Sequence, residues 1–196
     1  MKKLCLIIIP CLLLVGCSST KPYSAKKVEK NVKVITTNTE SSTSSNIQYY
    51  FSNEGTKPDT QLINLINSSN KTLDIAIYSL TKADIVNAII QAKTRGVNVR
   101  LMSDRECSQN RYQKVELEKI KNAGIPIKIN THSGLLHDKY TVVDGSIVAT
   151  GSYNYTNAAT DENDENFIVI KDSNVAKGYD DNFSSMWNDT TRFENY

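Results

Sequence analysis

His137-Asp138-Lys139, then Gly151-Ser152-Tyr153-Asn154, then Glu165 bring an imidazole, an ammonium, a hydroxyl, a carboxamide and a carboxylate into one short stretch of chain. That set suits attack on a phosphodiester. The diester's negative charge repels nucleophiles, so cleavage needs cations and N–H donors on the nonbridging oxygens and a nucleophile that is unprotonated near neutral pH. An imidazole, with an ordinary pKa of about 6.5, meets the second need. Lysine and carboxamide side chains meet the first. The run Tyr140 to Val143 is aromatic and β-branched and reads as a buried strand, so His137 and Lys139, two apart, project from one face.

The elements that must hold these groups follow from the rest of the pattern. From Ile47 onward short apolar strands alternate with amphipathic helices, the signature of an α/β layered domain. Strands are expected at 47–51, 73–78, 97–102, 125–129, 139–143, 146–150 and 167–170. Helices are expected at 60–66, from an N-cap at Thr81 to Gly96, at 111–123 and at 175–187. Asp144-Gly145 favours a tight hairpin between the two strands that carry the chemistry. The domain is expected to span 47–190, with 191–196 as a C-terminal tail.

His137-x-Lys139-x4-Asp144, six residues, then Gly151-Ser152-x-Asn154 and Glu165, resembles the HKD signature of the phospholipase D superfamily, in particular the small bacterial endonucleases that carry one copy of it. Ala76-Ile77-Tyr78-Ser79-Leu80-Thr81 and Ala92-Lys93-Thr94-Arg95-Gly96-Val97-Asn98-Val99 are similar to the strand and helix preceding the site in those nucleases. The resemblance implies a layered sandwich with a central mixed β-sheet flanked by helices, and metal-independent phosphodiester hydrolysis without a cofactor. It also implies roles. His137 attacks phosphorus and becomes a phosphohistidine, while Lys139, Asn154 and the Ser152 hydroxyl bind the phosphate oxygens. Glu165 accepts a hydrogen bond from the other ring nitrogen of His137, and Asp144 supports the hairpin. With one motif copy, the leaving oxygen must be protonated from elsewhere, so the resemblance implies a C2 homodimer in which a second His137 serves as the acid. His132 is read as a loop residue near the cleft, since no carboxylate or cysteine set accompanies it at metal-ligand spacing.

The chain's beginning points to export. Lys2 and Lys3 precede the apolar run Leu4 to Val15, and Leu14-Val15-Gly16-Cys17 resembles a bacterial lipobox, so 1–16 is expected to be a lipoprotein signal peptide and Cys17 the lipidated residue. Residues 17–46 then form a flexible Ser-, Thr-, Asn- and Lys-rich tether, with a coil length of roughly 30 Å. The expected location is the cell envelope, anchored by lipid, in the outer membrane where there is one. Without Lys2 and Lys3 the 23 basic residues fall to 21, equal to the 21 acidic ones, so attraction to a polyanion must come from a local patch. Arg95, Arg100, Arg105 and Arg111 are candidates for that patch, and Cys107 is read as a partly buried, inert thiol, with a bond between two subunits as the alternative. The leading functional reading is a nonspecific endonuclease on DNA, with RNA as a second polynucleotide substrate. The alternatives are a membrane-tethered phospholipase D and a noncatalytic nucleic-acid receptor.

Overall fold

The aromatic and β-branched runs become one sheet in the computed structural model, which describes residues 46–196. The expected signal peptide, Cys17 and all but the last residue of the tether lie outside the described residues. In chain order the described part runs β1 (Ile47–Phe51), α1 (Pro58–Asn67), β2 (Thr72–Ile77), α2 (Ala83–Thr94), β3 (Asn98–Ser103), α3 (Arg105–Ser108) and α4 (Arg111–Asn122). It continues with β4 (Ile127–Asn130), β5 (Lys139–Val143), β6 (Ile147–Gly151), α5 (Asn157–Asp161), β7 (Asn166–Ile170), α6 (Ser173–Asn188) and β8 (Phe193–Asn195). The sheet has eight strands in the order β1-β7-β6-β5-β2-β3-β4-β8. It is mixed: β2, β3 and β4 are parallel, and the remaining neighbours are antiparallel.

Helices cover both faces, and the central strands read accordingly. β2 is buried from Leu73 to Ile77 without alternation, as a strand sandwiched by helices must be. Its Leu73, Ile75 and Ile77 join residues of α1, α2 and α4 in one core, while Ala76 packs with Tyr140, Val142, Val148 and Phe183 against α6 in a second. The charged exception is Asp74. It faces Arg100 across the β2–β3 register and receives its guanidinium at 2.7 and 2.8 Å. The same guanidinium lies 4.9 Å from the Phe183 ring and 5.5 Å from Trp187, so the ion pair is part of the seat of α6.

Several expectations need correction. Arg100 therefore does not serve a phosphate-tracking groove, and neither does Arg95, whose Nη2 donates to the Ile66 carbonyl at 2.9 Å. Arg105 and Arg111 remain exposed. Thr81 does not cap α2, because the backbone N–H groups of Thr81 and Lys82 both donate to the Tyr155 carbonyl, and the helix begins two residues later. Residues 191–196 are not a tail: β8 pairs with β4, and Phe193 is buried in the α6-side core. Short helices α3 and α5 were not expected. Each is opened by a side-chain cap, Asp104 to the Cys107 N–H and Thr156 to the Ala159 N–H.

Candidate active site

Hairpin β5–β6 carries the motif, and its turn is set by chemistry the sequence announces. Asp144 and Gly145 adopt φ of 52° and 61°, and Ser146 N–H donates to the Val143 carbonyl at 3.0 Å, a type I′ turn. The Asp144 carboxylate then reaches across to the start of β2, accepting backbone N–H groups of Lys71 at 2.7 Å, Thr72 at 2.9 Å and Asn70 at 3.0 Å. Burial pushes its pKa up, but the three backbone donors outweigh that and hold it below the ordinary aspartate value. The expected supporting role of Asp144 is thus given a concrete form.

At the other end of the hairpin, Lys139 lies opposite Ile77, and the pairing extends one step further as Tyr78 N–H donates to the Asp138 carbonyl at 2.9 Å. The Tyr78 ring consequently stands against both reactive side chains. Its centroid is 4.6 Å from that of His137 and 5.0 Å from Lys139 Nζ. Lys139 Nζ donates one of its three hydrogens to the His137 carbonyl at 2.9 Å, leaving two for a ligand. Burial lowers the Lys139 pKa, an effect opposed by the carboxylates of Glu165 and Asp138. His137 and Lys139 do share one location, as their two-residue spacing predicts.

Gly151 ends β6 where the backbones of β6 and β7 close together. A Cβ there would lie 2.3 Å from the Asn166 carbonyl oxygen, and its φ is 146°. This contact lets Ser152 meet the start of β7: Ser152 N–H donates to the Asn166 carbonyl at 3.1 Å, and Ser152 Oγ accepts from Asn166 N–H at 3.1 Å. The Ser152 hydroxyl donates to Glu165 Oε2 in a short contact. Asn163 Nδ2 donates to Glu165 Oε1 at 3.2 Å. Two expectations change here. A hydroxyl has one hydrogen, and that of Ser152 is given to Glu165 rather than left for a phosphate oxygen. Glu165, with both oxygens engaged, makes no hydrogen bond to His137 among the described residues; it faces Lys139 electrostatically instead.

Asn154 is flanked by Tyr153 and Tyr155, both buried in the larger core, where their hydroxyls bond Thr160 at 2.6 Å and Thr141 at 2.7 Å. Tyr155 N–H donates to the Ser79 carbonyl at 3.0 Å, so the Ser152–Tyr155 segment lies beside the turn that follows Tyr78. Asn154 Oδ1 is buried without a hydrogen-bond partner. Its amide nitrogen donates to no group among the described residues, which leaves it available to an anion.

The sequence reading missed the groups that hold this constellation. Asp104, fully buried, accepts the N–H of Leu136, the residue before His137, at 3.0 Å while capping α3. Asn130 accepts Arg105 N–H at 2.8 Å and donates to the Gly134 carbonyl at 2.9 Å, pinning the same loop. Gln113 accepts Leu80 N–H at 2.9 Å and donates to Ser103 at 2.9 Å and the Tyr78 carbonyl at 3.3 Å, fixing the turn at the end of β2. Tyr78 lies in the segment that resembles the nucleases, where nothing in the local sequence marks it as a site residue. A hydrogen bond with Cys107 pushes its hydroxyl up to about 12, so it keeps its proton near pH 7. Burial raises the Cys107 thiol as well, in keeping with an inert thiol. His132 is engaged elsewhere: its Nδ1–H donates to the Ser133 carbonyl at 3.1 Å and its ring packs edge-on to Phe193. Among the described residues no group of three or more His, Cys, Asp or Glu lies together as metal ligands would.

A family model described as "Cardiolipin synthase, PLD-like domain" matches residues 62–187. A phospholipase D of Rickettsia conorii is 34% identical over 118 residues, 60% of this chain and 58% of that protein. A mitochondrial cardiolipin hydrolase of Chlamydomonas reinhardtii is 28% identical over 128 residues, 65% of this chain and 56% of that protein. The chain therefore spans a little over half the length of these curated relatives. Among solved structures, the phospholipase D family member Nuc of Salmonella typhimurium matches with a TM-score of 0.72 and 31% identity, over 76% of this chain and 97% of that one. NucT of Helicobacter pylori shares the fold, with a TM-score of 0.64 and 22% identity over 72% of this chain and 96% of that one.

Proposed function

This chain belongs to the phospholipase D superfamily, and from that premise we propose that it is a metal-independent phosphodiesterase acting on polynucleotides, DNA first and RNA second. The observation that carries the reading is the gathering of His137 and Lys139 against the Tyr78 ring, with the segment that carries Asn154 bonded to the turn just after that tyrosine. In the reaction, a His137 ring nitrogen forms a bond to phosphorus as the bond from phosphorus to the leaving oxygen breaks. Lys139 Nζ and Asn154 Nδ2 neutralise the nonbridging oxygens, most strongly as charge builds there. Water then attacks phosphorus, the N–P bond breaks and His137 is released. Glu165, held by Ser152, balances the positive charge gathered on Lys139 and His137.

The leaving oxygen needs a proton and the attacking water must lose one. The only other histidine of the chain, His132, is turned onto Phe193. The reading therefore includes a homodimer in which His137 of a second copy gives up that proton and takes back the water's. It also includes export and lipidation at Cys17, which would hold the enzyme at the cell envelope.

A second reading, hydrolysis of a phospholipid by the same residues, is favoured by the names of the relatives, cardiolipin hydrolase and phospholipase D. The deciding experiment offers the full chain single-stranded DNA, RNA and cardiolipin vesicles in excess chelator, with His137→Ala beside it. Polynucleotide cleavage that persists in chelator and disappears in H137A supports the proposal. Cleavage of cardiolipin alone selects the second reading. Polynucleotide binding without turnover in the native protein leaves only a receptor. Sedimentation equilibrium tests the dimer, and the mass of the N-terminal peptide tests lipidation.

A further inference from the structure

A cavity of about 490 Å³ opens on the α6 face of the sheet, immediately behind the site, between the start of β5, the end of β6 and the first turns of α6. Its rim includes Lys139 and Gly151, neighbours of His137 and Ser152. Asp138 and Tyr140, which line it, alternate along the chain with His137 and Lys139, so the cavity adjoins the site around the start of β5, and one substituent of a diester held at Lys139 would enter it past that strand end. We infer that this cavity receives the nucleoside attached to the scissile phosphate, with its base against Tyr179 and its polar edge toward Asn174 and Asn182. The inference rests on the phosphodiesterase reading above and names what the enzyme recognises beside the phosphate.

Three features of the lining select a neutral, polar, flat ligand. The first is charge: Asp138 is part of the wall, and a carboxylate there disfavours a second phosphate while accepting an amino or hydroxyl hydrogen. The second is shape. Tyr140 and Tyr179 meet edge to face, their centroids 5.1 Å apart, and both border the cavity, which offers an aromatic surface to a base.

The third is the hydrogen-bonding inventory. Tyr140 donates to Asn182 Oδ1 at 3.1 Å, which orients that amide and leaves its Nδ2 hydrogens unused among the described residues. The Asn174 side chain likewise makes no hydrogen bond among them. Two carboxamides with spare donors and acceptors match the edges of nucleobases. An acyl chain in the same space would strand these amides and the Asp138 carboxyl without water. The size lies within the range of small-molecule sites, about 300 to 1,000 Å³.

Gly178 provides the means of testing this. It lies in α6 on the cavity wall, and a Cβ built there meets no atom within 4 Å, so a larger side chain enters open space. Leucine is also a better helix former than glycine. The experiment compares the full native chain with Gly178→Leu on two substrates with the same leaving group, thymidine 5′-(p-nitrophenyl phosphate) and methyl p-nitrophenyl phosphate, which differ only in nucleoside against methyl.

The native enzyme should prefer the nucleoside ester, and G178L should erase at least tenfold of that preference through KM while the methyl ester's kcat/KM stays within twofold. Asn174→Ala should reduce the same preference about fivefold without filling the cavity. Equal losses on both esters, or no loss on either, would overturn the assignment. So would a native enzyme with no preference between the esters. A G178L enzyme that loses only cardiolipin hydrolysis would give the cavity to a lipid headgroup. If the native chain cleaves neither these esters nor polynucleotide nor cardiolipin, the phosphodiesterase reading itself fails and the cavity's role with it.

Discussion

Gly151→Ala is the smallest change expected to separate the fold from the site. The added Cβ would sit 2.3 Å from the Asn166 carbonyl oxygen and 2.9 Å from its Oδ1. Ordinary carbon–oxygen contact begins near 3.4 Å, so β6 and β7 must part locally by roughly 1 Å. The neighbouring atom is backbone, which cannot swing aside. A φ of 146° adds strain for any residue with a Cβ, on the order of 1–3 kcal/mol. Together with the lost Ser152–Asn166 contacts, the expected destabilisation is about 2–4 kcal/mol, or a fall of about 4–16 °C in Tm for a domain of this size.

The functional loss should be larger than the instability explains. Ser152, Glu165 and Asn154 all hang from this junction, and a 1 Å misplacement of a catalytic group costs about 100-fold in rate. The assay is thermal unfolding by circular dichroism alongside kcat on methyl p-nitrophenyl phosphate, measured at least 15 °C below the mutant's midpoint. Gly178→Ala serves as the control, since its Cβ meets open space. A Gly151→Ala protein with native Tm and more than a third of native kcat would refute the claim that this contact sets the site's geometry.

Other outcomes follow from the same contacts. Because burial lowers the Lys139 pKa, the alkaline limb of kcat/KM should fall at a pH below the ordinary lysine value of about 10.4, and Lys139→Arg should remove that limb while reducing activity. Asp144→Asn tolerates the positive φ but weakens acceptance of three backbone N–H groups. Since the folded pKa of Asp144 is depressed, its charge stabilises the native state above the ordinary aspartate pKa, and that advantage is lost as pH falls through the folded value. The difference in urea midpoint between native and D144N protein should accordingly be present at pH 7 and shrink below about pH 4. Tyr78→Phe should keep most activity and Tyr78→Ala should lower kcat about tenfold, because the ring, not the hydroxyl, meets His137 and Lys139; equal losses in the two variants would contradict this. Asp104→Ala should cost about 2–3 kcal/mol by leaving the buried Leu136 N–H unpaired, read as a shift in denaturation midpoint.

How much of this was legible in the chain depended on distance along it. The hairpin could be read because its strands, its Asp-Gly turn and its reactive residues are contiguous, so local rules sufficed. The central mixed sheet expected from the family resemblance is matched by the fold, with β8 as a strand beyond the seven expected. Asp104 and Asn130 could not be read in the same way. Asp104 meets Leu136, 32 residues on, and Asn130 meets Arg105, 25 residues back, and a buried aspartate looks like any other polar residue until the N–H it satisfies is known. The one local signal, an aspartate placed to cap a helix three residues before Cys107, was present and overlooked. Thr81 shows the converse: a good cap sequence lost to a tertiary demand, the Tyr155 carbonyl.

The strand order also accounts for where the site lies. β2 has parallel β3 on one side and antiparallel β5 on the other, so the chain leaves its C-terminal end in one direction and returns beside it only after β4. Connections diverge at such a point, and a crevice opens outside the carboxyl ends of the parallel strands. Three segments border it: Tyr78–Leu80 after β2, Asp104–Ser108 after β3, and the loop from β4 that delivers His137 to the mouth of β5. The clamps through Asp104 and Asn130 tie the second segment to the third, and Gln113 of α4 ties the first to Ser103 at the end of β3. Divergence makes the room and the clamps make it rigid. A site assembled this way tolerates a change at the β1 edge of the sheet far better than the loss of a single buried carboxylate beneath the histidine loop.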